Sequence, residues 1–250
     1  MAYCFTPEYA LPAGVGFPLF GRAHLGMLGA LAVISALAVF LGCRMDTERR
    51  RRLLKWMAGT MIGLEVWKDV TLGSIGAFSI GYLPLHLCSM AMFLCLFFAW
   101  HPDSDGAGQL VWGLCFSGGL AALLFPDWTD MPLWHFQSLH SFLYHAMLVQ
   151  FSLIAVLSGM ARPRVRRVWK SMAFLVLAAA VVYPVNLALG TNYMFLNRPL
   201  PDTPLALCAR LPGQWGYLLG YGLLAAVVLI VLDLPLDLYA WRKHRFRMLK

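Results

Sequence analysis

The hexapeptide Leu83-Pro84-Leu85-His86-Leu87-Cys88 sets a histidine and a thiol two residues apart at the start of a stretch otherwise made for lipid. Polar side chains in such a stretch are expensive and mark a site by default. Cysteine with a histidine near enough to act as base is a nucleophile arrangement that forms covalent intermediates. On a regular helix two residues subtend about 200°, so His86 is a poor direct base for Cys88 unless Pro84 distorts the entry turn. The plain alternative is a thiol that merely fills apolar space. That suits Cys95 and Cys115 better than Cys88, which has His86 and Ser89 beside it.

Further groups with chemistry follow. One apolar stretch carries His135, Gln137, Ser138, His140, Ser141, Tyr144, His145 and Gln150. At about 100° per residue His135 and His145 lie roughly 80° apart, and His140 about 140° from either. His135 and His145 are therefore expected to look into a shared cavity, and His140 to pack against another helix. A buried neutral histidine bonded to backbone is the competing reading for both. Glu65, Lys68 and Asp69 share a helical face by their i,i+3 and i,i+4 spacing. They make either a self-neutralising Glu65–Lys68 pair, or a proton relay or an anchor orienting a catalytic group. Phe125-Pro126-Asp127-Trp128 puts a carboxylate just outside a hydrophobic stretch. The run Gly190-Thr191-Asn192-Tyr193-Met194, followed by Asn197-Arg198-Pro199, offers amide and phenol groups at a membrane surface, although turn chemistry and interfacial aromatics explain it equally. Asp233 and Asp237 are expected to meet the basic tail.

These residues need a scaffold, and composition defines it. The 250 residues are 60% hydrophobic and 13% charged, and several apolar runs reach the ~20 residues that cross a bilayer. The fold class is an all-α polytopic membrane protein, a single bundle of seven helices over 20–43, 53–78, 83–100, 109–125, 133–160, 168–189 and 214–241, in one transmembrane domain spanning 1–250. No basic start with a compact apolar core and small-residue cleavage site is seen, so no cleaved signal peptide is expected. The six cysteines form no CxxC pair, which argues against a disulfide framework.

The net charge of +8 raises nucleic-acid binding, but no such motif is present and the basic residues are segregated between spans. Arg44, Arg49–Arg52 and Lys55 fill the first connection, Arg162, Arg164, Arg166, Arg167 and Lys170 the fifth, and Arg242, Lys243, Arg245, Arg247 and Lys250 the tail. With seven spans all three clusters fall on one side, and only Arg22, Arg198 and Arg210 on the other. The N-terminus is then outside and the C-terminus cytoplasmic, with the basic clusters also drawn to anionic lipid. The third connection, carrying Asp103 and Asp105, says little about orientation. In this topology Cys88, Asp127, His135, Asn192 and Tyr193 share one outer level. Cys88 lies about 8 Å below the mouth and His145 about 15 Å deeper than His135. Phospholipids present their ester bonds at about that depth.

With those residues assembled, the chain resembles the YwaF family of integral membrane proteins, to which the eukaryotic transmembrane protein 164 group is related. The likeness rests on LPLHLCSMAMFLCLFF at 83–98, FPDW at 125–128, His135-Phe136 with His145 ten residues on, TNYMFLNRP at 191–199 and GQW at 213–215. The first two helices match in hydrophobicity alone. The resemblance implies a compact multi-helix membrane protein. For the eukaryotic relatives it implies a cysteine-dependent acyltransferase that moves acyl chains between phospholipids, with Cys88 at the position of that cysteine. Bacterial-type members, short like this chain, come with no assigned activity.

Three function classes follow. In a lipid acyltransferase Cys88 attacks a phospholipid ester, His145 or His135 takes the thiol proton, and Asn192 or Tyr193 donates to the oxyanion, with His86, Asp127 and Glu65 lining the substrate site. A transporter, channel or non-catalytic lipid-binding protein would instead use Glu65, Lys68, Asp69 and the histidines as a polar path, although no inverted repeat supports a transporter. A seven-helix metal-dependent hydrolase would use Ser141 and His145, with Asp127 as a ligand, but lacks a late H-x-x-x-H pair. No metal or cofactor is expected, and membrane phospholipids are the expected partners. The setting is a multi-pass membrane location, the plasma (inner) membrane if the source is bacterial.

Overall fold

The computed structural model describes residues 3–248, with side chains described as far as Trp241. Among these residues there are seven long helices and no strand: α1 Arg22–Arg44, α2 Thr47–Ser74, α3 Leu87–Trp100, α4 Asp105–Leu124, α5 Phe136–Leu157, α6 Val168–Leu189 and α7 Gly213–Met248. Six stretches are long and apolar enough to cross a membrane: Arg22–Arg44, Ile80–Trp100, Asp105–Leu124, Phe136–Leu157, Val165–Leu189 and Gly213–Trp241. α2 has the length, but its charged residues set it apart.

The most enclosed helix is α5, which packs against α1, α2 and α4. The largest core joins Leu54 and Met61 of α2, Met92, Cys95 and Phe98 of α3, and Leu148, Phe151 and Ile154 of α5. α1 and α6 turn most of their apolar side chains outward, as expected where lipid replaces water.

The helix ends show what the hydrophobic pattern misses. α2 begins six residues before the expected start of 53, because Asp46 caps it by accepting from the Arg49 N–H at 2.9 Å. The Arg49–Arg52 run is therefore helical. α3 begins at Leu87, with His86 as its N-cap in extended conformation, so Leu83-Pro84-Leu85 lies outside the helix. α4 is interrupted by a π-helical stretch, Val111–Phe116, a feature that often sits at functional sites. α6 covers the expected 168–189 and ends on Gly190 at φ +66°, the left-handed cap that glycine adopts without cost.

Asp233 and Asp237, expected to meet the basic tail, have partners on α4 and in the connection before α6. Asp233 accepts from Gln109 Nε2 at 2.6 Å, and Asp237 pairs with Arg164 at 2.9 Å and accepts from the Val165 N–H at 2.9 Å. Gln109 of α4 meets Asp233, and the connection before α6 folds back onto α7 to meet Asp237. Of the tail cluster, Lys250 and the side chains of Arg242, Lys243, Arg245 and Arg247 lie outside the described residues.

The segment before α1 runs across one end of the bundle. Phe136 N–H donates to the Cys4 carbonyl at 3.0 Å, Phe17 N–H donates to the Thr129 carbonyl at 2.9 Å, and Phe5 stacks on Phe136 at 5.4 Å. Gly16 is required there, since a Cβ would strike the Thr129 carbonyl. All six cysteines are free.

Candidate active site

A cavity of about 750 Å³ opens among α2, α3, α4, α5, α6 and α7. Cys88, His86, Glu65, Asp127 and His145 all line it. Five of the eight residues singled out from sequence thus converge, and three do not.

Cys88 is the second residue of α3, half-buried in the cavity wall. The N-cap His86 makes no side-chain cap, and among the described residues the N–H groups of Leu87, Cys88 and Ser89 meet no carbonyl. The thiol therefore sits at the positive end of a helix, where free amides and the helix dipole favour negative charge. His86 lies before the helix, so the 200° argument does not govern it. Its Nδ1 accepts from the Met194 N–H at 3.4 Å, and its ring stands edge-on to Tyr193 at 5.3 Å.

His145 Nδ1 lies 2.7 Å from the Ser141 carbonyl. A carbonyl only accepts, so Nδ1 carries the proton and Nε2 keeps its lone pair. The imidazole is held flat against Trp128, with centroids 5.4 Å apart and planes 13° apart. The Trp of the FPDW run thus orients the histidine. Asp127, one residue before, presents its surface to the cavity rather than to bulk water, and burial pushes its carboxyl above the ordinary carboxylate range.

His135 does not reach this cavity. It is the N-cap of α5, where the 100° periodicity has not begun. Its Nδ1 accepts from the Gln137 N–H at 3.3 Å and its Nε2 donates to the Thr6 carbonyl at 2.9 Å. Asn192 and Tyr193 are also committed elsewhere. Asn192 Oδ1 accepts from the Asn197 N–H at 3.0 Å and Nδ2 donates to the Arg198 carbonyl at 3.0 Å. The Tyr193 phenol donates to the Ile80 carbonyl, and its N–H donates to Asn186 Oδ1 at 2.8 Å. Both fold the 191–199 turn, which forces Met194 and Phe195 into left-handed backbone at φ +56° and +55°, an arrangement non-glycine residues seldom adopt. Those two residues, and not Asn192 or Tyr193, line the cavity.

His140 was expected to pack away from the cavity and instead lines it. With His135 outside the helix, the face of α5 is set by Gln137, His140, Ser141, Tyr144 and His145, whose i,i+3 and i,i+4 spacings agree. His140 Nε2 is 3.8 Å from Glu65 Oε2, and neither ring nitrogen has a hydrogen bond within the described residues. Glu65 also holds Lys68 at 2.7 Å and accepts from Ser89 at 3.3 Å, and Lys68 lies 3.4 Å from Asp69. Glu8, delivered by the leading segment, faces Tyr82, which accepts from Gln137 Nε2 at 3.0 Å. No sequence signal placed Glu8, 74 residues from Tyr82 in the chain, in the cavity wall.

Among the described residues no three His, Cys, Asp or Glu side chains are placed to hold a metal ion. The arrangement offers a thiol at a helix N-terminus, a histidine with a fixed tautomer, and a buried carboxylate–lysine–histidine cluster.

The model of the TMEM164 family matches residues 19–233. No curated protein and no solved structure matches. Six apolar helices together with this family match make the chain a multi-pass integral membrane protein.

Proposed function

The chain belongs to the TMEM164 family, and on that premise we propose that it transfers acyl chains between membrane lipids through Cys88. The observation that carries this reading is that Cys88, at the free amide end of α3, and His145, with its tautomer set by Ser141, line one cavity. His145 Nε2 takes the Sγ proton, and the thiolate attacks the ester carbonyl. The carbonyl oxygen, negative in the tetrahedral intermediate, is met by α3 amides. The C–O bond breaks and His145 returns the proton to the departing lysolipid oxygen. An acceptor hydroxyl then gives its proton to His145 and attacks the thioester. The C–S bond breaks, and His145 reprotonates the thiolate.

The same reading takes α2 as a seventh crossing and sets the N-terminus outside, in keeping with the basic connections. The cavity mouth then lies at the depth of ester bonds in the outer leaflet. The likeness to the YwaF family at LPLHLC is consistent with this placement. For a bacterial source the membrane is the inner one.

The test uses phospholipid with an alkyne-tagged acyl chain and purified protein in nanodiscs. A hydroxylamine-sensitive adduct on the Cys88 peptide, absent in Cys88→Ser and reduced in His145→Ala, supports the mechanism. Full transfer by Cys88→Ser removes it. A second reading, proton-coupled transport, is favoured by the buried Glu65–Lys68–His140 cluster. Flux into liposomes that disappears in Glu65→Gln and persists in Cys88→Ser would select it.

A further inference from the structure

The cavity has two ends of opposite chemistry. Around Cys88 it is lined by Glu65, Lys68, His140, Tyr144 and His145. Away from them one wall is a single aliphatic face of α7, with Leu224, Val228 and Leu232 at i, i+4 and i+8. The neighbouring stripe Leu223, Val227 and Val231 is 59%, 58% and 60% exposed and faces outward. From Tyr221, which also lines the cavity, to Leu232 the wall runs about 16 Å, half of a ~30 Å hydrocarbon layer.

This arm has a floor. Immediately past Leu232, Asp233 is fully buried and accepts from Gln109 at 2.6 Å, while Gln109 accepts from the Arg164 N–H at 2.9 Å. One turn before this layer α4 and α7 already close up. A Cβ on Gly113 would sit 2.9 Å from Leu229 Cδ2 and 2.7 Å from Ser171 Oγ. None of Gln109, Gly113, Ser171 and Asp233 lines the cavity, so the arm stops above this layer.

We infer that this arm is a blind subsite for one extended hydrocarbon chain, and that the layer at Leu229 and Leu232 limits the length of chain it accepts. The placement of the chain's carbonyl carbon at Cys88 rests on the acyl-transfer reading. The aliphatic wall and its floor do not. The chain arrives as part of a phospholipid or as a free fatty acid, which share this chemistry. A methylene that finds room exchanges lipid for an equally apolar wall and changes affinity little. In a blind arm a methylene past the floor finds no room and binding weakens, whereas an open lipid-facing groove shows no such break.

The experiment uses full-length Cys88→Ala protein in nanodiscs, which separates binding from chemistry, and two probes with a diazirine at the chain terminus, a fatty acid and a phosphatidylcholine. Labels on the Leu224, Val228 and Leu232 stripe or on the facing Leu114 support the subsite, and the probe that gives them identifies the source. Labels confined to Leu223, Val227 and Val231 overturn it. Competition by acids of rising length, compared at equal mole fraction in the lipid, should hold level up to the length of the arm and then fall. Val228→Phe should move the break to shorter chains and weaken the longest severalfold. Should that variant fold poorly, Leu232→Ala should move the break to longer chains. No break, or a break unmoved in a folded variant, overturns the proposal. Arm labelling without an acyl adduct on wild-type Cys88 keeps the subsite and removes acyl transfer. An adduct without arm labelling does the reverse.

Discussion

The phenol of Tyr144 donates to the main-chain carbonyl of Cys88 at 2.9 Å. Tyr144 is 2% exposed and precedes His145 on α5. One hydrogen bond therefore ties the backbone of the proposed nucleophile to the helix that carries the proposed base. Tyr144→Phe keeps the ring and removes the tie. It should cost about 1 kcal/mol of stability and lower acyl transfer by roughly ten- to a hundredfold, as a small misplacement of reacting groups does. Thermal unfolding and transfer rate, measured on the same preparation, check this. A folded variant with an unchanged rate would show that the tie does not position Cys88.

The thiols should separate by place in the fold. Cys95 and Cys115 are wholly buried between α3 and α4, whereas Cys88 opens on the cavity. Small permeant alkylators should modify Cys88 well before either. His145→Ala should slow transfer by about 10²- to 10⁴-fold, the usual loss of a general base, with Cys95→Ala as the control that retains it. Equal alkylation of the three would remove the cavity as a reason for Cys88 reactivity.

Glu65 is 6% exposed and bonded to Lys68 at 2.7 Å. Breaking a buried pair leaves one charge uncompensated, at a cost of about 3–5 kcal/mol, while replacing both partners by neutral groups can be near neutral. Glu65→Gln should therefore lower thermal stability sharply, and Glu65→Gln with Lys68→Met should recover much of it. A double variant no better than the single would mean that Asp69 and His140 leave Lys68 little dependent on Glu65.

The helical architecture was legible because long apolar runs encode it directly, and α6 was read to the residue. The ends were not, since caps decide them. Asp46 extended α2 backward through four arginines, and His86 and His135 stopped α3 and α5 short. Counting 100° steps set His140 about 140° from His145 and so on another face, but the cavity spans enough of α5 for both to line it. Cys88, His86, Glu65, Asp127 and His145 could be read as cavity residues because polar groups are conspicuous among aliphatic ones. Asn192 and Tyr193 were equally conspicuous, but Asn192 spends its bonds within the 191–199 turn and Tyr193 on Ile80 and Asn186, and sequence carries no sign of that. Glu8 and Tyr144 depend on contacts across 74 and 56 residues, which no local pattern reports.

His135 gives the bundle a pH dependence whose sign is fixed by its burial and its Nδ1 bond. Nε2 donates to Thr6 and Nδ1 accepts from the Gln137 N–H, so a second proton at Nδ1 removes the cap of α5 while the bond to Thr6 is kept. Burial pushes His135 below its ordinary value of 6.5, against the opposing pull of the Thr6 carbonyl and Glu8. The unfolded chain therefore binds the proton more readily. Stability from this group is complete above about pH 6.5 and is lost as pH falls through the depressed folded value. Asp127 has the opposite sign, because burial raises its carboxyl and its contribution grows as pH falls. A difference measurement isolates the histidine. His135→Asn retains a capping oxygen and cannot titrate. Between pH 7.5 and 5 the melting temperature of the wild type should fall by a few degrees relative to this variant. Parallel curves would show that the His135 cap does not couple to protonation.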